Sequence, residues 1–419
     1  MRSIREGGCS LLDWLTRDGK LLLTTRGVRS FGYGFLSVIL AIYLGDFLKF
    51  DDVLIGVVLS ATLLGGASFT ILCSLYADRI GRRKMLIFLS LLMASSGVLF
   101  FLTENRSIIL FAAVIGTLSP TGGEVGSFLP MEQTILPQTC SEEKRNSAFA
   151  AYNMVGTLCA AAGALFSGVI TVFQSGLGLG EAESYRVMFL LYSFLAIAAA
   201  CLYLAMSNRA ELTKAQSSVQ RKRLSPESRT IVAKLSVLFG VDAFAGGFVL
   251  QSIISYWFHT TYGVPQEQLA VIFFAANVLS TVSFFAAVGL AKRIGLIRTM
   301  VFTHIPSNIL LIMVPIAPTF LLSMAFFLAR QAISQMDVPT RQSYTVAIVA
   351  PEERIVAAGT AGIARNVAQA TSPSLSGYAM QFVSLSSPFF IGGSLKIVYD
   401  IAVYFNFRKI RPPEEAHMR

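Results

Sequence analysis

Long apolar runs recur along the whole chain and restrict its fold more than any other feature. A run of about 20 residues with few charges is long enough to cross a bilayer as a helix. Only 14% of the 419 residues are charged and 54% are hydrophobic, which is too apolar for a water-soluble domain. The sequence therefore predicts an all-α integral membrane protein. We expect twelve transmembrane helices, at about 27–47, 53–76, 85–103, 107–138, 146–173, 188–206, 235–258, 266–291, 299–316, 319–348, 355–383 and 386–407.

The positive charges are distributed unevenly between the two sides of these spans. Of the 34 Lys and Arg residues, 26 lie in the N-terminal segment, the even-numbered loops and the C-terminal tail, and three lie in the other loops. Positive loops face the cytoplasm, so we expect both termini to be cytoplasmic in a multi-pass protein of the inner or plasma membrane. The net charge of +10 then faces anionic lipids, and we expect no nucleic-acid partner.

One hydrophilic stretch interrupts the apolar runs at the middle of the chain. We expect residues 207–234 to be a cytoplasmic linker between two six-helix bundles, at 27–206 and 235–407. Residues 1–26 form a charged N-terminus that includes a possible helix on the membrane surface, and residues 408–419 form a cytoplasmic tail.

The two halves of the chain repeat each other. "GVRSFGYGF" (27–35) resembles "GVDAFAGGF" (240–248), and "ADRIGRRKMLIF" (77–88) resembles "AKRIGLIRTMVF" (291–302). Shorter matches follow at "PMEQT" and "PTRQS", and at "LFSG" and "SLSG". Six spans separate equivalent segments, so the sequence predicts a parallel repeat about an axis normal to the membrane.

These features together resemble the major facilitator superfamily. The loop between spans two and three, "SLYADRIGRRK", is similar to the family signature G-x-L-A-D-R-x-G-R-R/K, with Ser74 and Tyr76 departing from it. The resemblance implies a 12-span, 6+6 secondary transporter with a central cavity lined by spans one, four, seven and ten. It also implies that the charged cytoplasmic loops form a gating network. The alternative is that these loops are solvated and form only weak surface ion pairs. The loop residues assigned to that network are Asp78, Arg79, Gly81, Arg82, Arg83, Glu143, Arg145, Glu352 and Arg354.

Two pairs of charges inside the spans occupy equivalent places in the repeat with opposite sign. Arg29 corresponds to Asp242, and Glu132 corresponds to Arg341. A charge inside the bilayer is costly, by about 2.5 kcal/mol or more, and needs a partner or a function. We expect ion pairs across the two bundles that close the cytoplasmic gate, and the alternative is that each side chain reaches the headgroups.

Glu124 lies deeper, among the glycines of "TGGEVGSFLP". Burial favours the protonated carboxyl unless a cation is close, so Glu124 is the candidate proton-coupling residue. On a continuous helix it would lie about 12 Å and about 80° from Glu132. The alternative is that Glu124 pairs with a buried arginine.

Spans ten to twelve carry further charges. Arg330, Asp337 and Arg341 are spaced to share one helical face, and Pro339 predicts a kink beside them. Arg330 and Arg365 are either anion-binding groups or counter-ions of the acids. The cavity charges then balance, four against four, and indicate neither an anionic nor a cationic substrate. Lys396 and Asp400 are four residues apart and are expected to neutralise each other on a peripheral helix.

Other polar and aromatic side chains in the spans are candidates for substrate contact, although each is more often a packing residue. They are Tyr33, Tyr43, Gln251, Tyr256, Asn277 and Asn366.

No catalytic motif, metal-ligand cluster or cofactor signature is apparent, so we expect a protein that is not an enzyme and has no cofactor or bound metal. The main hypothesis is a monomeric, proton-coupled carrier of a small organic solute. "GALFSG" (163–168) is a degenerate form of the family's efflux signature and favours export slightly. The alternatives are an importer or facilitator for an organic anion or metabolite, and a membrane sensor that transports nothing.

Overall fold

The computed structural model describes residues 14–124, 126–207, 224–350 and 353–408. Helices and their connections account for these ranges, which contain no β-strand. The first half of the chain contains α1 (Arg17–Ile42), α2 (Asp52–Ile80), α3 (Arg82–Leu102), α4 (Arg106–Ile115), α5 (Phe128–Ile135), α6 (Arg145–Phe166), α7 (Val169–Leu177) and α8 (Glu181–Leu204). The second half contains α9 (Pro226–Gly247), α10 (Gln251–Tyr262), α11 (Gln266–Ile294), α12 (Leu296–Met313), α13 (Phe320–Ser334), α14 (Asp337–Ala347), α15 (Arg354–Phe382) and α16 (Ser387–Phe407).

The helices form the predicted 12-span, 6+6 arrangement. Within the described ranges, nine helical segments are long and apolar enough to cross a membrane. The other three spans are the fourth and tenth, which are interrupted, and the eleventh, which is the continuous but more polar α15. Each half thus supplies six crossings, as the sequence repeat predicts.

The first span begins ten residues earlier than predicted. Thr16 caps α1 by accepting a hydrogen bond from the backbone N–H of Gly19 at 3.4 Å, and Leu22 and Leu23 are buried in the bundle. The expected surface helix is therefore not a separate element where the structure describes it. From Arg17 onward, the N-terminal segment is the first part of α1 itself.

The fourth span is broken in the middle rather than merely kinked. The described residues between α4 and α5, 116–124 and 126–127, form an irregular loop. Gly122 and Gly126 adopt φ angles of +76° and +129°, which side chains rarely tolerate. Irregular backbone at membrane depth is stable only where it is surrounded by protein or lines a cavity, and residues 121–124 of this loop line the central cavity.

Spans seven and ten are also interrupted, but more briefly. The seventh changes from α9 to α10 over residues 248–250, and the tenth changes from α13 to α14 at Gln335 and Met336. Pro339 lies in the first turn of α14, where proline is tolerated, so the break precedes the predicted kink. Both interruptions face the same central space as the loop of span four.

Contacts between the bundles cluster toward one end of the molecule. We call the end that carries Gly81, Lys144 and Gly295 the basic end. Near the opposite end α2 packs closely on α15, where a Cβ atom added at Gly56 would lie 2.3 Å from the carbonyl oxygen of Pro373. The Ser374 hydroxyl lies 2.8 Å from that of Ser60 in the same interface.

The first and seventh spans close the same end. Ser252 and Ser255 donate hydrogen bonds to the carbonyl oxygens of Ser37 and Val38, at 2.9 and 2.7 Å. Tyr256 donates to Asp52 at 3.1 Å. Together with the α2–α15 contact, these bonds seal the bundles at the opposite end and leave the central cavity on the side of the basic end.

Candidate substrate cavity

A buried network of charges holds the N-terminal bundle together. Arg29 of α1 donates hydrogen bonds to both carboxylate oxygens of Glu132 of α5, at 3.1 and 2.6 Å. Tyr152 and Tyr203 donate to the same carboxylate at 2.5 and 2.6 Å, and Thr25 donates at 3.0 Å. Arg29 and Glu132 have no exposed surface, so this ion pair is fully enclosed and fully hydrogen-bonded.

Glu124 belongs to the same network. Its carboxylate accepts a hydrogen bond from Arg29 at 2.9 Å and forms an ion pair with Arg26. Glu124 lies in the irregular loop of span four, so the helical separation predicted between Glu124 and Glu132 is wrong. The structure places Glu124 beside buried arginines, as the second interpretation of this residue expects. The Glu124 carboxylate thereby links the loop to α1.

The C-terminal bundle has its own network around Asp242 of α9. The Asp242 carboxylate accepts hydrogen bonds from Lys396 at 2.8 Å, Arg365 at 2.9 Å and Arg341 at 3.0 Å. Arg341 also binds Asp337, one turn earlier in α14, at 2.6 Å. One acid at the centre of the bundle thus ties α14, α15 and α16 to α9.

A histidine extends this second network. His304 of α12 contacts the Asp400 carboxylate at 2.8 Å, and Asn308 donates to the same carboxylate at 3.2 Å. The second His304 nitrogen lies 4.0 Å from Asp242. The expected Lys396–Asp400 pair is therefore wrong, because the two side chains bind different partners in the bundle interior.

The predicted ion pairs across the bundles are also wrong in this structure. Arg29 pairs with Glu132, and Asp242 pairs with Arg341, each within its own half. Each bundle contains one acid–arginine pair, but the arginine comes first along the chain in the N-terminal bundle and the acid comes first in the C-terminal bundle. This reversal gives equivalent positions opposite signs. These pairs stabilise the two bundles separately.

Both networks border a cavity of about 370 Å³ between the bundles. Arg26 and Glu124 line it from the N-terminal bundle, and Asp242, Asp337, Arg341 and several neighbours line it from the other. Phe273, Phe284 and Phe327 give the wall an apolar part. A volume of this size suits a small organic molecule.

Arg330 differs from the other cations of the cavity wall. It is 9% exposed and donates a hydrogen bond to its neighbour Gln331 at 2.7 Å. Its Nε atom has no hydrogen-bond partner among the described residues, none of whose carboxylates lies within ion-pair distance of the guanidinium. The break between α13 and α14 separates Arg330 from the helical face that Asp337 and Arg341 share.

The predicted substrate-contact residues fall into two groups. Gln251, Asn277, Arg330, Asp337 and Arg365 line the cavity, whereas Tyr33, Tyr43, Tyr256 and Asn366 do not.

The three tyrosines outside the cavity have structural contacts instead. Tyr33 is buried inside the N-terminal bundle near Met93. Tyr43 packs against Phe189 with ring centroids 4.9 Å apart, and Tyr256 belongs to the closed end described above. Periodicity placed them in spans but could not distinguish which face of each helix meets the cavity.

The loops at the basic end contain the residues predicted to form a gating network. Gly81, with φ of +104°, separates α2 from α3. Arg83 donates from Nε to the carbonyl oxygen of Tyr203 at 3.0 Å and also bonds Leu204, so it caps α8 of its own bundle. Arg82 is partly exposed. Four of the predicted residues, Arg79, Glu143, Arg145 and Arg354, are exposed. The Asp78 side chain and Glu352 lie outside the described part of the chain.

Several buried polar residues were not among the predicted site residues, and Arg26, His304, Lys396 and Glu353 are examples. Arg26 precedes Arg29 by one helical turn, and that spacing was the signal that its side chain shares a face with Arg29. His304 and Lys396 are ionisable residues inside spans, which is itself a signal of function. Glu353 is buried and accepts a hydrogen bond from the backbone N–H of Ser225 at 2.7 Å, which anchors the start of α9.

Comparison with known proteins agrees with this arrangement. Residues 22–334 match the family model described as Major Facilitator Superfamily. The chain belongs to the Major Facilitator Superfamily. Among curated proteins, the chain is 27% identical over 417 residues to the uncharacterized membrane protein YJR124C of Saccharomyces cerevisiae, covering 92% of this chain and 93% of that protein. A shorter match, 27% identical over 133 residues, links 32% of this chain to 17% of Monosaccharide-sensing protein 3 of Arabidopsis thaliana.

Solved structures of the superfamily share the fold across nearly the whole chain. The nucleoside transporter NupG matches with a TM-score of 0.71 and 14% identity, covering 94% of this chain and 100% of NupG. The inward-open xylose transporter XylE from E. coli matches with a TM-score of 0.68 and 14% identity, covering 92% and 95% of the two chains. At these identities the likeness establishes the transporter fold and leaves the substrate open.

Proposed function

We propose that this protein is a secondary active transporter that carries a small organic solute by alternating access. The supporting observation is the cavity between two symmetric bundles, which is sealed at one end by contacts between α2 and α15 and between α1 and α10. Rocking the two bundles about the central site would open the sealed end and close the basic end.

The charge networks support rigid-body motion of the two halves. Each network joins helices of one bundle, so a change in the angle between bundles need not break any buried ion pair. Breaking such a pair by removing one partner costs about 3–5 kcal/mol. A rocking motion that preserves both networks therefore avoids the largest energetic obstacle to alternating access.

We propose that the protein lies in the plasma membrane. In the proposed orientation, the basic end and both termini face the cytoplasm. The orientation is supported by the excess of Lys and Arg in the loops of that end. The structure then corresponds to the state that binds solute from the cytoplasm.

We further propose that the protein functions as a monomer and that Asp78 and the loop residues around it latch the basic end when it closes.

In its finer form, the proposal makes the carrier a proton-coupled exporter. Glu124 is the proposed proton site, since it faces the cavity and links the irregular loop to Arg26 and Arg29. Protonation would remove its charge and loosen that link. The degenerate efflux signature at 163–168 favours export, and uptake by symport is the alternative.

The test uses proteoliposomes and a labelled compound chosen because it raises the unfolding temperature of the purified protein. Glu124→Gln is expected to abolish transport driven by a pH gradient while sparing exchange of internal for external compound. Glu181→Gln removes an exposed carboxylate from the start of α8 and serves as the control. Undiminished gradient-driven transport in Glu124→Gln would remove Glu124 from the proton pathway.

A further inference from the structure

Within the part of the chain that the structure describes, the cavity wall and the two charge networks behind it together carry one more positive than negative charge. The cations are Arg26, Arg29, Arg330, Arg341, Arg365 and Lys396, and the acids are Glu124, Glu132, Asp242, Asp337 and Asp400. The expected balance of four against four is thus replaced by six against five, with His304 taken as neutral. Arg330 differs from the other five cations, each of which contacts an acid, since no carboxylate of the described residues lies within ion-pair distance of it.

An unpaired guanidinium at this depth is energetically unfavourable. Arginine remains protonated in proteins, and a buried charge is costly unless it is paired and hydrogen-bonded. Arg330 is nine-tenths buried and lines the cavity. A residue kept in this condition is poised for a partner that arrives from the cavity.

The neighbours of Arg330 hold it in position without neutralising it. The Gln331 side-chain oxygen accepts hydrogen bonds from Arg330 at 2.7 Å and from Ser334 at 3.1 Å. These bonds fix one side of the guanidinium, and its buried Nε has no acceptor among the described residues. A carboxylate can accept two parallel hydrogen bonds from a guanidinium, an arrangement that is strong and directional.

We propose that Arg330 binds the acidic group of the transported solute, which is a small organic monoanion such as a monocarboxylate with an apolar body. The anion neutralises the excess charge, and its apolar part packs against Phe273, Phe284 and Phe327. A neutral solute would leave Arg330 unpaired, and a cation would increase the excess charge. Arg365, the other candidate for anion binding, is already bound to Asp242. This inference rests on the proposed transport function and assigns its substrate class.

The first test needs no ligand. Arg330→Met removes an unpaired buried charge, so the unliganded protein is expected to unfold at a higher temperature than the wild type. Arg365→Met is the matched comparison, because it takes a partner from Asp242 and is expected to lower the unfolding temperature. A fall for Arg330→Met as large as that for Arg365→Met would overturn the proposal, since Arg330 would then have a structural counter-ion.

The second test measures selectivity with a panel of monocarboxylates, beginning with benzoate and phenylacetate, each matched with its neutral amide. At least one carboxylate is expected to raise the unfolding temperature, while its amide does not. Arg330→Gln is expected to weaken binding of that carboxylate about 10- to 100-fold, Arg330→Lys by less, and Arg293→Gln, at an exposed arginine, not at all. Equal responses to acids and amides, or no response to any acid, would overturn the anion assignment.

Transport of the same compounds separates the two proposals. If the wild type and Arg330→Gln export an amide at the same rate, the proposal that the solute is an anion is rejected, and the proposal of alternating access stands. If no carboxylate or amide crosses the membrane, and labels on the two bundles report no movement, the transport proposal itself fails.

Discussion

At the scale of single residues, the buried acids act as centres of bundle stability. Glu132 uses both carboxylate oxygens to bind Arg29, Thr25, Tyr152 and Tyr203. Removal of its charge leaves the Arg29 guanidinium short of a partner in a place with no access to water. The cost of this loss exceeds that of any exposed ion pair.

Glu132→Gln is accordingly expected to destabilise the protein by about 3–5 kcal/mol, measured by thermal or chemical unfolding in detergent. Glu181→Gln, at an exposed position in α8, is expected to change stability by less than about 0.5 kcal/mol. Equal stability of the two variants would show that the Arg29–Glu132 pair contributes nothing to the fold.

Ionisable residues inside the spans could be recognised from the sequence, but their partners could not. On a continuous helix Asp337 would lie one turn from Arg341 and two turns from Arg330, so spacing allowed Asp337 to pair with either arginine, and the structure shows the pair with Arg341. The pairing of Arg29 with Glu132 depends on which helices are neighbours. The internal repeat is compatible with pairs within a bundle and with pairs between bundles, and only the structure distinguishes the two.

At the scale of elements, the broken fourth span decides the shape of the cavity. Its glycines and Pro120 were visible in the sequence, yet the apolar run on both sides also fits a continuous helix. Gly122 faces Gln251 of the other bundle, and an added Cβ atom would lie 2.8 Å from its side-chain oxygen. The loop therefore depends on Gly122 for its backbone conformation and for its fit against α10.

Gly122→Ala is expected to destabilise the protein by about 1–2 kcal/mol through its positive φ alone, and to slow transport further by displacing Gln251. Gly123→Ala is the matched control, because its added Cβ atom would meet nothing closer than 4.0 Å. Unfolding temperatures and transport rates of the two variants provide the comparison. If both tolerate alanine equally well, the loop geometry is not needed for function.

At the scale of the whole molecule, the repeat and the apolar runs predicted two six-helix bundles, and the arrangement agrees. The sequence could not predict which end of the molecule is closed. The two conformational states of an alternating-access transporter belong to one sequence, and their free energies differ by only a few kcal/mol. Close contact at Gly56 and Gly377, where added Cβ atoms would meet backbone oxygens, fixes which end is closed here. The central claim is that this end opens when the basic end closes.

Two pairs of spin labels in a cysteine-free background test that claim most directly. One pair replaces Lys84 and Arg298 at the basic end, and the other replaces Ser107 and Leu321 at the opposite end; all four residues are exposed. As pH and bound carboxylate are varied, we predict that the distance within one pair shortens while that within the other lengthens. Distances that stay fixed in both pairs, or that change together in the same direction, would contradict alternating access.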